Sequence, residues 1–277
     1  MKGEPKMILF KLEWRGLQKS LVVWSILFIG LISIFGIIYP QMYTPEMRTT
    51  MDQMLNGLSP ELLKSFNIIS SGPASLLTAT GFFGYYFQYM FIAACIFACL
   101  SGSNALIKEE SDGTIEFLYA QPITRVQIVL QKFIAHGCKL LIFWGVSWSS
   151  ALVVFLGTKQ QGDSLGEFMK ELTRVFLSEF LILLFFLALG FLFSTLLTSS
   201  KQAPGISLGT VFGFYVVGII SGLLPNLENL KNISPVSLGI PATIIQEKLH
   251  HSGIIASFTV LFFIASLYLY QKKDLHV

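Results

Sequence analysis

Lys108-Glu109-Glu110-Ser111-Asp112-Gly113-Thr114-Ile115-Glu116-Phe117-Leu118-Tyr119-Ala120-Gln121-Pro122-Ile123-Thr124-Arg125 is a charged segment set between two long apolar runs, 82–104 and 138–157. Those flanks decide the fold. A bilayer span needs about 20 mainly apolar residues, and six stretches qualify: about 21–40, 82–104, 138–157, 176–197, 205–224 and 252–270. The pattern predicts one all-α polytopic membrane domain over 1–277, with a compact acidic insert between its second and third spans. Such an insert at a membrane surface is a candidate docking element for a soluble partner.

Composition agrees. Only 13% of the 277 residues are charged, against 53% hydrophobic and 25 Phe. A soluble domain carries roughly 25% charged residues, so this chain has too few to cover a water-exposed surface. A net charge of +3 gives no case for a nucleic-acid partner. The first span is too long, and too far from the N-terminus, for a signal peptide, and reads as an uncleaved anchor. With the N-terminus placed inside, twelve of the 19 Lys and Arg fall on inner segments, among them Lys11, Arg15, Lys19, Lys108, Arg125 and Lys273. The positive-inside rule therefore predicts both termini in the cytoplasm.

Within the insert, Gly113 breaks any helix leaving the second span. Thr114 to Ala120 can form a short helix with Ile115 and Leu118 on one face and Glu116 on another, and Pro122 stops it. Thr124-Arg125-Val126-Gln127 has a capping-box pattern, so the third long helix starts well inside the cytoplasm. Its Lys132, His136 and Lys139 recur at i, i+4, i+7 and read as a solvated, headgroup-facing stripe rather than a ligand set. Ahead of the first span, Met7, Phe10, Trp14, Leu17 and Leu21 form a narrow apolar stripe. Residues 5–19 are therefore expected to be an interfacial helix with a bend at Gly16; a plain extension of the first span is the alternative.

On the outer side, Ser59-Pro60 supplies an N-cap and N1 proline. The 225–251 loop, broken by Pro225, Pro235 and Pro241, is expected to pack back on the membrane face. Gly205, Gly209 and Gly213, followed by Gly218 and Gly222, form a small-residue stripe that lets a neighbour approach closely. That neighbour is either a second subunit or another helix of the same chain. The run Phe82, Phe83, Tyr85, Tyr86, Phe87, Gln88, Tyr89, Phe91 reads as an aromatic belt; Gln88 keeps open the lining of a pathway for an amphipathic substrate. Cys95, Cys99 and Cys138 give no disulfide framework, and beside His136 they read as packing residues rather than a soft-metal site. Glu179 is an intramembrane carboxylate, a functional candidate by default, or else the end of the polar face Glu167, Lys170, Glu171, Arg174. No phosphate-binding G-x-x-x-x-G-K-[ST] loop, H-E-x-x-H pair or serine elbow occurs, and the exposed His250-His251 pair reads as incidental. No catalytic, metal or cofactor site is expected on this chain.

The insert resembles that of the membrane subunits of type-2 ATP-binding-cassette exporters, of the form E-x-G-T-[ILV]-E-x-L, then P-[IL]-[ST]-R, then K. Here Glu110, Gly113, Thr114, Ile115, Glu116 and Leu118 are followed by Pro122, Ile123, Thr124, Arg125 and Lys132, with one extra residue between the acid and Gly113. The motif covers about 25 residues; the architecture covers the chain. The resemblance implies a permease without a nucleotide site of its own, in a bacterial plasma membrane. It implies ATP-driven export through a dimer with a second copy or a paralogue. Two copies of a separate cytoplasmic ATPase would hold the ATP and Mg. Glu110, Gly113, Thr114, Ile115, Glu116, Leu118, Pro122 and Arg125 would shape or dock a coupling helix on that ATPase. Gly205, Gly209, Gly213, Phe87, Gln88 and Phe91 would lie on the subunit interface or pathway. The alternative from another class is a non-transporting membrane anchor or sensor that recruits a cytoplasmic partner.

Overall fold

The computed structural model describes residues 8–42, 44–119, 122–223, 234–246 and 252–273. Among them all regular structure is helical: α1 (Ile8–Met42), α2 (Pro45–Asn56), α3 (Pro60–Ser65), α4 (Ala79–Ala105), α5 (Lys108–Ser111), α6 (Ile115–Tyr119), α7 (Arg125–Thr158), α8 (Leu165–Leu196), α9 (Ala203–Leu223), α10 (Pro235–Leu238), α11 (Pro241–Gln246) and α12 (Ser252–Lys272), with a 3-10 turn at Ser200–Gln202. The six helices long and apolar enough to cross a membrane, α1, α4, α7, α8, α9 and α12, fall on the six predicted spans. The protein is a multi-pass all-α membrane protein. Its exposed faces fit lipid and not water: Ile26, Ile37, Val153 and Leu177 are each 63% exposed or more, and only helices with internally paired backbones are admissible there.

Several helices outrun the bilayer. At 1.5 Å per residue, the 34 residues of α7 reach about 51 Å against a hydrocarbon core of about 30 Å. The excess of α7 lies at the end of the bundle shared by the start of α1, the insert and the end of α12, called the basal end below. Thr124 caps α7 as expected: its Oγ1 accepts from Gln127 N at 3.3 Å and Gln127 Oε1 accepts from Thr124 N at 3.0 Å. The expected bend at Gly16 is absent. From Ile8 on, α1 is one unbroken 35-residue helix, the extension reading of the N-terminal segment; residues 5–7 lie outside the described residues. The physical reason is that α1 packs along α7 over its length, which holds Gly16 in the helix.

The centre of the bundle is the α4–α8 pair, with α1 on α7, α12 on α8 and α9 on α4. At the α4–α8 crossing Gly102 and Gly190 face each other. A Cβ on Gly102 would run into the backbone of Leu187 to Phe191, and one on Gly190 into Cys99 and Ser103. Toward the opposite, distal end, Phe87, Trp144 and Phe176 stack with ring centroids 4.7–5.7 Å apart, and Trp144 Nε1 donates to Phe176 O at 2.8 Å. Without a hydrophobic drive between helices in lipid, such dispersion and small-residue contacts carry association.

The distal end is ordered by caps. Thr44 and Ser59 accept from Met47 N and Leu62 N, each followed by a proline at the first helical position. The Glu61 backbone amide and then the hydroxyl of Ser59 hold the exposed Glu61 carboxyl below its ordinary range. The short helices α10 and α11 pack on α9, α4 and α8; Pro225 and the His250-His251 pair lie outside the described residues. Tyr39, near the end of α1, donates to the Asp163 carboxylate at 3.1–3.2 Å.

Gly102→Leu and Gly190→Leu are each expected to destabilise the chain in detergent by ~1–3 kcal/mol, read as a lower thermal unfolding midpoint. Gly209→Leu, where nothing stands within 4 Å of the added Cβ, is expected to leave that midpoint nearly unchanged, within about 0.5 kcal/mol.

Candidate functional site: the basal insert

The insert is built of two short turns joined at Gly113, whose φ of +67° is a left-handed conformation that glycine adopts without the Cβ penalty. Asp112 N and Thr114 N bond back to Lys108 O and Glu109 O, closing α5 before α6 begins. Ile115 and Leu118 are 4% and 9% exposed, packed into the chain's own core. They therefore do not form an open apolar face awaiting a partner, as their position on a short surface helix suggests. The insert exposes Lys108, Ser111 and Thr124 and, between them, Asp112, Gly113, Thr114, Glu116 and Pro122, a ridge that carries two carboxylates.

The back of the insert is fixed on three sides. Glu109 pairs with Lys132 of α7, and the same ammonium donates to Ala105 O at 2.6 Å and lies 3.3 Å from Glu13 of α1. Glu110 pairs with Lys273 at 2.8 Å, just past α12. Arg125 Nη1 donates to Gln271 O at 2.9 Å, Lys273 O at 2.8 Å and Tyr270 O at 3.4 Å, capping the carbonyls that the end of α12 leaves unpaired. Its guanidinium lies 5.4 Å from the Tyr119 ring, and Tyr119 OH donates to Tyr270 OH at 3.1 Å. Ser200, in the α8–α9 turn, bonds Ser111 Oγ through its amide and hydroxyl at 3.2 and 2.9 Å. Glu110 and Arg125 thus serve inside the chain, while Glu116 stays free on the ridge.

Lys132, His136 and Lys139 are not a solvated stripe. They are 0%, 3% and 2% exposed. His136 Nε2 lies 3.1 Å from Glu13, its Nδ1 lies 2.6 Å from Ser101 Oγ, and Lys139 donates to Ser101. Because Ser101 accepts from Lys139, its own proton goes to Nδ1, and a neutral His136 then donates from Nε2 to Glu13; this ordering uses both ring nitrogens of His136 and gives Ser101 one donor and one acceptor role. A cationic stripe on α7 looks the same in sequence whether it faces water or a carboxylate on another helix. The signal that could have revealed it is that Glu13 is the lone acid of α1.

The other sequence-singled residues separate. Phe87 and Phe91 are buried in the interior stack and do not face an open surface. Gln88 bonds Asn67 Nδ2 at 3.2 Å and Phe66 O at 3.4 Å, tying α4 to the segment after α3. Gly205, Gly209 and Gly213 have nothing within 4 Å of an added Cβ, whereas Gly218 meets Ser237 and Gly222 meets Ser65. So the distal part of the stripe is used within the chain and the basal part is open. Phe212, next to Gly213 in α9, is 53% exposed, and Tyr89 of α4 is 42% exposed. Glu179 does not end an exposed polar face: it is fully buried, and neither carboxylate oxygen has a hydrogen-bond partner. Cys95 and Cys99 are buried free thiols of α4. Among the described residues no three His, Cys, Asp or Glu side chains are grouped as a metal site.

Comparison with known proteins places this geometry. Residues 7–275 match the family described as "ABC-2 family transporter protein". The chain is 29% identical over 122 residues to the "Probable ABC transporter permease protein NosY" of Stutzerimonas stutzeri, covering 44% of each chain. It is 30% identical over 143 residues to the protein of the same name from Pseudomonas aeruginosa, covering 50% of each. The alignments thus span about half the length of these relatives.

Glu13→Ala leaves Lys132 its contacts with Glu109 and Ala105 O but takes the carboxylate away from His136, and is expected to cost ~1–3 kcal/mol of stability, measured by unfolding in detergent, with Glu116→Ala on the ridge within about 0.5 kcal/mol of wild type. Glu179→Gln is expected to be neutral or stabilising in the same assay, because it removes a buried carboxyl that no described residue pairs.

Proposed function

The chain belongs to the ABC-2 transporter family, and from that premise we propose that it is the permease subunit of an ATP-driven exporter. Its basal end is cytoplasmic, with both termini inside, as the Lys and Arg distribution favours. A separate cassette ATPase, two copies per complex, binds ATP and Mg and docks on the ridge formed by Asp112, Gly113, Thr114, Glu116 and Pro122.

The observation that carries this reading is the contrast between the two sides of the insert. Its outer side is open and acidic; its inner side is locked to every helix that reaches the basal end. Motion of the ridge on nucleotide-driven closure is carried by Glu109–Lys132–Glu13 to α7 and α1, by Glu110–Lys273 and Arg125 to α12, and by Ser111–Ser200 to the α8–α9 turn. A simple anchor would need the ridge but not these struts.

The second permease, an identical copy or a paralogue, packs on the open face of α9 at Gly205, Gly209 and Gly213, where small residues permit close approach. The pathway then lies along the paired α4 and α9 faces. Tyr89 and Phe212 line it directly, while Phe87 and Phe91 support it from within and Gln88 anchors its distal end.

The test is co-purification in nanodiscs with the cassette ATPase encoded beside this chain. Glu116→Arg is expected to lower permease-dependent ATP hydrolysis by about tenfold or more, corresponding to at least ~1.4 kcal/mol, with insertion and thermal stability intact. Gly209→Leu is expected to shift the permease from dimer to monomer by light scattering. An ATPase that stays bound and fully active with Glu116→Arg would move the docking site elsewhere. A chain that purifies alone and affects no cassette ATPase would return the anchor or sensor reading.

A further inference from the structure

The charges of α1 and α7 are sorted by face. The two helices hold one acid between them, Glu13, and it is turned inward onto Lys132 and His136. Lys11, Arg15 and Lys19 follow one another at four-residue steps on the other side of α1, and all three are exposed. Among the described residues no carboxylate pairs with any of them. The outer face of α1 thus carries three free cations along a rise of about 12 Å, with no exposed acid on either helix to offset them.

Below the cations the same face stands in lipid. Eighteen residues are five turns at about 3.6 residues per turn, so Ile29 lies under Lys11, Ser33 under Arg15 and Ile37 under Lys19. Val22 and Ile26 occupy the interval, 54% and 65% exposed, and Ile37 is 63% exposed. Lys19 therefore sits at the upper edge of the hydrocarbon region, three residues before Val22. Arg15 is one turn higher, in the headgroup layer, and Lys11 one turn beyond that. The aliphatic stems of such side chains lie along apolar surface while their charges stay among polar groups.

This face has a groove at depth. About 610 Å³ of open space lies between α1 and α7, lined by Ile29, Ser33, Ile142, Gly145, Ser149 and Val153. Ile29 is ten residues from Lys19, about 15 Å along the helix, which is half of a hydrocarbon core of about 30 Å. An acyl chain whose head rests at Lys19 ends in this groove. Cations in the headgroup layer, an exposed apolar strip beneath them and a groove at mid-bilayer occur in the order that a phospholipid of net negative charge presents its groups.

We propose that the outer face of α1 and α7 binds an anionic phospholipid of the basal leaflet, of the phosphatidylglycerol class. Its phosphate accepts from Lys19 and Arg15, one turn apart. Lys11 keeps the potential positive above them, and one acyl chain runs over Val22 and Ile26 into the groove at Ile29 and Gly145. Basic side chains at a membrane surface each add to the attraction of anionic lipid. A choline or ethanolamine head would carry its own cation into a field of three cations with no exposed carboxylate on these helices; a glycerol head carries none. The bound lipid seats α1 from the membrane side at the level where Glu13 seats it from the protein side. The site needs only the membrane setting of the fold, not the transport reading.

The test uses the permease alone, which separates it from ATPase docking. Delipidated protein is titrated with dioleoyl phosphatidylglycerol, phosphatidylcholine or phosphatidylethanolamine, and adducts are counted by native mass spectrometry. Phosphatidylglycerol is expected to bind at least tenfold tighter than either zwitterionic lipid. Changing Lys11, Arg15 and Lys19 together to Gln, all at exposed positions, is expected to erase that preference. Changing the exposed Lys159, Lys170 and Lys201 together to Gln alters the net charge equally and is expected to leave it. Gly145→Trp, where an added side chain has open space, is expected to fill the groove and weaken the phosphatidylglycerol adduct at least fivefold. Glycerol phosphate, the head without its chains, is expected not to compete. Equal binding of the three lipids, a preference that survives the Lys11, Arg15 and Lys19 changes, an equal loss in the Lys159, Lys170 and Lys201 protein, an adduct unchanged by Gly145→Trp, or displacement by glycerol phosphate would overturn the proposal.

Discussion

Lys132 is the point on which the basal half of the molecule depends. Its ammonium, removed from water, is held at once by Glu109 of the insert, Glu13 of α1 and the last carbonyl turn of α4. A buried cation is costly unless paired and hydrogen-bonded. That cost ties three chain segments to one position, since none can leave without exposing the charge. The same condition explains why α1 does not lie apart on the membrane surface. Its one carboxylate is required by α7.

Around this knot the chain separates two surfaces by chemistry. The ridge beyond Gly113 keeps its charge in water, and the residues behind it bury theirs against partners. The proposed function gives this division a use, because a permease driven by a separate ATPase would need one face for contact and another for transmission. Arg125 illustrates how tightly the second role is built. It starts α7 and closes the end of α12, so the first turn of one helix and the last turn of another share a side chain.

The sequence made legible whatever depends on neighbours in the chain. The spans followed from apolar length, the start of α7 from Thr124 and Gln127, the start of α3 from Ser59 and Pro60, and the break in the insert from Gly113. What escaped it depends on distant partners. His136 meets Glu13 across 123 residues, and helical periodicity records a polar stripe without recording what stands opposite. The pattern places Ile115 and Leu118 on one face of a short helix, and it carries no sign of the core that buries them. The conspicuous glycines of α9 turned out to be open at the basal end, while α4 and α8 meet at Gly102 and Gly190, whose small-residue spacings, Ala94, Ala98, Gly102 and Gly190, Ser194, stand out less than a run of glycines.

The unbroken α1 has a mechanical consequence. A helix of 35 residues is a rod of about 52 Å, seated at one end by Glu13 and near the other by Tyr39 on Asp163. A tilt of about five degrees around its middle would carry each end some 2 Å in opposite directions, given that length. A rod of that kind works as a lever: displacement applied where the charges are buried is delivered across the full thickness of the membrane without any change in the lever's own shape.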